Sequence, residues 1–417
     1  MSYARQTVLP VLRDAEWLDA PRVRAFLVML AAISALVMVA YAVMSRGGPD
    51  PTGKVLGTDF ASFWTASELA LRGEPASVWN LAAHYAAQIA AFGPGIKYAA
   101  FFYPPPYLLA CLPLALLPYG MSLLVWLAGT GFAWVQMVRA WLRAAGGVDV
   151  GWLPIVAFPA VLSNVGHGQN GFLTAALLGT GALIHERRPW LAGVLFGALI
   201  IKPHLAILVP IFLLMAGNWR SIIAAALSAT GLCLLSLLIF GVSAWQAFFE
   251  TSEVARAVLS QELVSFAKLQ SAFAAIRLVG GSSELAIAGQ FVMFALAVSA
   301  LWIVRRCGGG PANGAAFVCA TPLATPFVLD YDLTMLAVPL AWLFARAMRE
   351  GFLPWERLLL LAGFLLPLFA RSVAMTTHIS ITTLVVSGLM LCVVRRAVVS
   401  SGRVSGFLPV ALGVRRS

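Results

Sequence analysis

The chain has 417 residues, 61% of them hydrophobic and only 11% charged, with a mean hydropathy of +0.89. A soluble globular protein carries about 25% charged residues, so these figures exclude one and indicate an integral membrane protein. The net charge of +11 resembles a nucleic-acid signature until the positions are read: the arginines fall in separate groups between apolar runs, and no nucleic-acid partner is expected.

In chain order, Arg13, Arg22 and Arg24 flank the start of the first apolar run, residues 23–44, and place that start in the cytoplasm. Residues 1–22 then form a cytoplasmic N-terminus. With no small-residue cleavage site, the run is expected to be a retained helix. Residues 45–98 become the first extracytoplasmic loop. Within it Phe60, Phe63, Trp64 and Leu71 recur at helical spacing, as do Trp79, Ala83, Ala86 and Ala90, which predicts two short amphipathic helices at the membrane surface.

A proline-broken apolar run follows at 101–118 and a cleaner one at 120–142. From 151 to 217 the runs are short, punctuated by GHGQNG at 166–171, HERRPW at 185–190 and KPH at 202–204. Spans are expected again at 219–240, 285–304, 312–328, 333–347, 357–371 and 376–394, with room for a surface helix in 241–283 and a basic cytoplasmic tail at 397–417. Apolar runs of roughly 20 residues specify helices and not the short alternating strands of a barrel. The fold class is therefore all-α, one polytopic transmembrane helix bundle over 23–396. The five cysteines, Cys111, Cys233, Cys307, Cys319 and Cys392, lack CxxC spacing and read as small buried hydrophobes.

If Arg187, Arg188, Arg220, Arg305, Arg306, Arg346, Arg349 and the tail are cytoplasmic, then Asp59, GHGQNG, KPH and the LDYD at 329–332 share the opposite side. Counting every run between 101 and 184 as a span would put Arg187 outside. One broken segment there is therefore expected to be re-entrant.

An unpaired charge at membrane depth is costly and usually faces a cavity, so the few ionisable groups at apolar boundaries are informative. Asp59 in GTDFASFW is either a helix N-cap or a functional carboxylate beside aromatic residues. His167, Gln169 and Asn170 form either a polar turn or a set of donors and acceptors around a ligand. Lys202, a lone cation followed by Pro203, marks a helix break, with snorkelling as the plainer reading; His204 reads as interfacial. Asp330 and Asp332 flank Tyr331 at a spacing that does not share a helix face, so they imply no joint acid–base pair. Arg371 runs against the positive-inside pattern, which makes a phosphate or carboxylate partner worth proposing. Glu68, Arg72 and Glu74 read as exposed pairs. The P-loop, GxSxG and HExxH patterns are missing, which removes support for ATP-driven pumps, serine hydrolases and zincins.

Five segments in order, GTDFASFWTASELALRGEPASVWN, FFYPPPYLLACLPLALLP, GHGQNGFLTAALL, RRPWLAGVLFGALIIKPHLAILVPIFLL and TPFVLDYDLTMLAVPLAW, resemble glycosyltransferase family 87 over about 55–345. The resemblance implies a GT-C-like membrane enzyme of the bacterial inner membrane with its active site on the extracytoplasmic side. It also implies a polyprenyl-phosphate-linked hexose donor, mannose or similar, a lipid or glycan acceptor, and no nucleotide-sugar domain. The family's catalytic Asp falls on Asp59, the Lys of its K-P motif on Lys202, and its Gly-x-x-Gln element on Gly166 and Gln169. Some members carry a His where this chain has Asp330, Tyr331 and Asp332. On this reading Asp59 is a general base for an inverting transfer, and Lys202, His167 and Arg371 serve the departing phosphate. Tyr103, Phe60 and Trp64 shape a groove for the lipid and acceptor. No cofactor is implied, no metal is assigned, and the sequence is silent on metal dependence. The competing class is a polytopic transporter or lipid-linked sugar flippase, whose sites also use broken helices; uneven spacing of the polar elements favours an enzyme.

Overall fold

A computed structural model describes residues 9–45, 48–260 and 265–402, the side chains of 254–260 excepted. The N-terminal residues 1–8 and most of the basic tail, with Arg403, Arg415 and Arg416, lie outside the described residues. Labelled from the first apolar helix onward, the elements are α1 (Ala20–Met44), α2 (Phe60–Leu71), α3 (Leu81–Phe92), α4 (Pro105–Cys111), α5 (Tyr119–Ala145), α6 (Leu153–Ala157), α7 (Pro159–His167), α8 (Gly171–Ile184) and α9 (Pro189–Gly197). There follow α10 (Val209–Met215), α11 (Trp219–Ser260), α12 (Ala272–Leu278), α13 (Ser283–Cys307), α14 (Pro311–Ala324), α15 (Ala337–Glu350), α16 (Glu356–Thr377) and α17 (Thr382–Ser400). Among the described residues the only β pairing is one antiparallel bridge, Leu269 to Leu329. The chain is an all-α bundle, and six helices are long and apolar enough to cross a membrane: α1, α5, α11 up to Glu253, α13, α16 and α17.

The apolar runs expected as spans at 312–328 and 333–347 are shorter than that. α14 and α15 have 14 residues each, about 21 Å of helix, less than the roughly 30 Å of a bilayer core. They need not reach across, because protein and not lipid surrounds them: Phe317, Val318, Cys319, Ala320, Val338 and Leu343 are fully buried in the main apolar core. The two helices form a hairpin whose tip is the 3-10 segment Asp330–Leu336. Its legs are rooted at one end of the bundle, where the Gly310 amide donates to Glu186 at 3.2 Å and Arg346 donates to Ser400 at 3.1 Å. A second hairpin, α9 to α10, is rooted there too. Asn218 donates to the His185 carbonyl and Ser221 to the Pro189 carbonyl at its base, and Lys202 stands at its tip.

The run at 101–118 does not cross. Its helix α4 and the turn Leu114–Leu116 fold back on α2, with Ser67 donating to the Leu112 carbonyl at 2.7 Å and Trp64 Nε1 to the Leu117 carbonyl at 3.1 Å. With this segment held at the far end, α5 descends, α6–α7 ascend and α8 descends, so Arg187 joins the other arginines. The fold-back also changes the character of the first loop. Leu81–Phe92 keeps an exposed face, whereas Phe60–Leu71 is buried around most of its circumference by an aromatic cluster in which Phe63 meets Phe101, Tyr103, Tyr107 and Trp126.

At the arginine end, Arg396 is not the surface topology charge its position in the sequence suggests. It is 3% exposed and makes a bidentate pair with the fully buried Glu356, both contacts at 2.5 Å, while donating to the Gly351 carbonyl. Removing one partner of such a pair strands a buried charge. Glu356→Ala is expected to lower unfolding stability by about 3–5 kcal/mol, against under about 1 kcal/mol for Glu350→Ala, whose carboxylate is 40% exposed. Thermal unfolding in detergent checks both, and equal effects would contradict the assignment.

His84, on α3, is fully buried between Ser62 and Tyr98. Burial pushes its imidazole from 6.5 down to about 4, against the opposing pull of the Ser62 carbonyl. Between those pH values the unfolded chain binds the proton and the folded chain does not, so stability falls as pH drops through this window. The loss reaches about 3 kcal/mol at most. A pH series of melting temperatures should show a shallower acid limb for His84→Gln than for the parent; superimposable limbs would rule the contribution out.

Candidate active site

Three turns and one helix start meet at the end of the bundle opposite the arginines. Gly168 adopts a left-handed φ of +61° that ends α7, and a Cβ there would lie 2.6 Å from the Phe60 Cβ. The absence of a side chain lets the GHGQNG turn sit directly on the start of α2, where the Asp59 amide donates to the His167 carbonyl at 3.0 Å and Trp126 Nε1 to the Gly168 carbonyl at 3.1 Å. On its other side the turn abuts the 330–336 tip: a Cβ on Gly171 would come within 2.4 Å of the Tyr331 carbonyl oxygen. Thr334 Oγ1 donates to the Gly171 carbonyl at 3.0 Å.

Asp59 occupies the N-cap position of α2, but its backbone is already helical and its side chain makes no capping bond. The N-cap reading therefore does not describe its carboxylate. Oδ2 accepts from Gln169 Nε2 at 3.1 Å and lies 3.6 Å from His167 Nδ1, with the Asp59 side chain 35% exposed. Gln169 Oε1 accepts from Tyr103 OH at 3.1 Å and from the Asn170 amide at 2.9 Å. Two donors on Oε1 leave Nε2 for the carboxylate, which fixes the orientation of the amide. Burial, with the Asp59 and Asp332 carboxylates adding to it, holds the Tyr103 phenol well above its ordinary value, so it stays a donor. His167 Nδ1 also contacts Thr58 Oγ1 at 2.9 Å.

Lys202 does not snorkel. It is 3% exposed, and Nζ donates to Asp332 Oδ1 at 2.5 Å and to Asn170 Oδ1 at 3.4 Å, 4.7 Å from the centre of the Tyr331 ring. The other Asp332 oxygen accepts from the Leu329 amide at 3.1 Å. One buried cation thus joins all three turns. Asp330 points elsewhere: Oδ1 accepts from the Tyr331 amide at 3.0 Å and Oδ2 faces Arg371 at 3.7 Å. The two carboxylates serve different cations, in keeping with their i, i+2 spacing.

Of the residues singled out in the sequence, Asp59, His167, Gln169 and Tyr103 form one cluster, and Lys202, Tyr331 and Asp332 a second beneath it. Asp330 and Arg371 lie to one side. His167 and Tyr331 link the clusters, their ring centres 6.2 Å apart. Phe60 is fully buried and supports the site from within, while Trp64 is half-buried and anchored to the Leu117 carbonyl. His204 is half-buried two residues beyond Lys202, its ring 6.1 Å from that of Phe327. Glu68 and Arg72 form the exposed pair at 2.6 Å.

Lys268 lies outside every motif of the sequence. It ends the 3-10 turn Phe266–Lys268, which packs on α16, and the Leu269–Leu329 bridge ties it to the segment that leads into Asp330. Burial and then the neighbouring charges of Arg371 and Lys97 pull its ammonium below the ordinary value, with Asp59 and Asp330 acting in the opposite sense. Its one signal is to be the single Lys in the mixed 241–283 stretch, two residues after Phe266. Among the described residues, no three His, Cys, Asp or Glu side chains converge as a metal-ligand set.

The family model described as Glycosyltransferase family 87 matches residues 101–326, more than half of the chain. The matched stretch holds Tyr103, GHGQNG, Lys202 and Lys268; Asp59, the LDYD and Arg371 lie outside it. Comparisons with curated proteins and with solved structures give no match.

Within GHGQNG the glycines are not equivalent. Nothing lies within 4 Å of a Cβ at Gly166, whereas one at Gly171 also collides with Asn164 Oδ1 at 2.6 Å. Gly171→Ala is expected to lower stability by about 1–3 kcal/mol, and Gly166→Ala, in a helix, to be neutral or slightly stabilising. Paired melting curves check this; a tolerant Gly171 would mean the turn and the 330–336 tip are not in contact.

Proposed function

This chain belongs to glycosyltransferase family 87, and we propose that it transfers a hexose, mannose or similar, from a polyprenyl-phosphate-linked donor to a lipid or glycan acceptor. The observation that carries the reading is the placement of Asp59: a carboxylate at a helix start, unused as a cap, open to solvent and oriented by an amide whose own direction is fixed. Such a group is suited to take a proton from an incoming hydroxyl.

In the proposed single displacement the acceptor O–H proton passes to Asp59 as the acceptor oxygen bonds to the sugar's anomeric carbon. The bond from that carbon to the phosphate oxygen breaks, the polyprenyl phosphate leaves with the electron pair, and the anomeric configuration inverts. Tyr103 and Gln169 orient the base, and His167 stands within reach of it. Lys202, its charge met by Asp332, holds the turns in register. Arg371, 36% exposed and only loosely paired with Asp330, is the better placed of the two cations to meet phosphate. The arginine end is assigned to the cytoplasm and the Asp59 end to the extracytoplasmic face of a bacterial inner membrane, from the positive-inside pattern.

Membranes containing the protein, given a radiolabelled polyprenyl-phosphate hexose and a lipid extract, should yield labelled product. Asp59→Asn should reduce the rate by about 10²–10⁴-fold, and undiminished transfer would remove Asp59 as base. A product of retained configuration would make Asp59 a nucleophile instead. Absence of transfer from every such donor, with vectorial uptake of a solute, would favour the transporter.

A further inference from the structure

Beside the site, on the flank of the bundle, lies an apolar groove of about 360 Å³ walled by Phe273, Phe291, Phe294 and Phe327, with Leu269 and Ile207 at its edges. That volume falls within the range of small-molecule sites. Its one polar side chain is neutralised, since Gln290 donates to the Leu323 carbonyl and accepts from the Phe273 amide. The groove opens on the face of the bundle that meets lipid: Phe291 is 69% exposed on α13, a candidate span with only 22% of its apolar window buried.

Its upper edge is continuous with charge. Leu269 follows Lys268 directly, and Phe327 lies two residues before Leu329, which the isolated bridge joins to Leu269, and three before Asp330 and its partner Arg371. Lys268 has no carboxylate within ion-pair distance among the described residues, whereas Lys202 is closed off by Asp332. The turn that carries Lys268 packs on α16, the helix of Arg371, so the two cations act on each other, with Asp59 and Asp330 opposing, and an anion that meets both gains two charge-assisted hydrogen bonds.

We propose that groove and cations form one site for a lipid monophosphate, the hydrocarbon chain lying against Phe273, Phe291 and Phe327 and the phosphate held by Lys268 with Arg371. The assignment rests on the reading that the donor is lipid-linked, and adds where its two chemically distinct halves sit. It also moves the phosphate contact from Lys202 to a residue outside the motifs.

The test uses the full chain in nanodiscs and a polyprenyl monophosphate as probe, with binding followed by native mass spectrometry. Lys268→Gln should weaken binding by about tenfold or more, and Lys268→Arg should restore it. Unphosphorylated polyprenol should bind more weakly and be indifferent to Lys268. Ile287→Trp, which fills the groove from α13, should weaken both probes; should that variant unfold, Phe291→Ala reads the same wall by trimming it. The proposal is overturned if Lys268→Gln binds as the parent does with an unchanged melting temperature, if inorganic phosphate displaces the probe, or if two-chain phosphatidate binds equally well. Transfer activity separates the two readings. Normal transfer in both Lys268→Gln and Ile287→Trp would reject the groove and leave the enzyme assignment intact. Lys268-dependent binding without transfer from any donor would do the reverse.

Discussion

The structure depends on the buried ion pair between Lys202 and Asp332. Neither charge has access to water, so each is tolerable only because the other is present, and the remaining carboxylate oxygen is satisfied by the Leu329 amide. The pair joins the tips of two hairpins whose legs are both rooted at the arginine end. Through Asn170 and the contact of Gly171 with Tyr331, it also sets the level of the turn that positions Gln169 against Asp59. Buried, mutually paired polar groups are thus concentrated beneath Asp59, whose carboxylate stays partly open.

A division of labour among the cations follows. Arg396 and Lys202 are interior and fully paired, one at each end of the bundle, and act as fasteners. Arg371 and Lys268 are partly exposed and incompletely matched by nearby acids, which leaves them available to a ligand. The formal net charge of +11 is therefore several things at once. Some of it is topology, some is internal bracing, and a small remainder faces the site.

Much of this was legible in the sequence because membrane burial leaves plain traces. Long apolar runs placed α1, α5 and α13 to within three residues. They placed the start of α11 with its first segment, which ends at a kink at Gly241, and set the ends of α16 and α17 up to six residues off; a charge inside an apolar run singled out Lys202. Hydrophobicity cannot, however, say whether an apolar run is surrounded by lipid or by protein. That is why 312–328 and 333–347 read as spans when α14 and α15 are enclosed helices, and why the re-entrant segment could be expected between 101 and 184 without being located. Partnership was also hidden. Lys202 and Asp332 are 130 residues apart, and Arg396 and Glu356 are 40, so no local spacing rule links them. Asp59 was visible as an acid beside aromatics, but its freedom from capping duty depends on a backbone already helical at that residue, which composition does not encode.

The order in which a membrane protein is made gives the Lys202–Asp332 contact a further meaning. Helices enter the bilayer from the N-terminus, so Lys202 is delivered well before its counter-ion exists, and a chain halted short of Asp332 holds an ammonium with no carboxylate to meet it. The second hairpin therefore completes the first. Until α14 and α15 slot into the bundle, the turn beside Asp59 has no floor, and the site is assembled only after three-quarters of the chain has been synthesised. Biogenesis, and not only catalysis, falls under the constraint that this pair imposes.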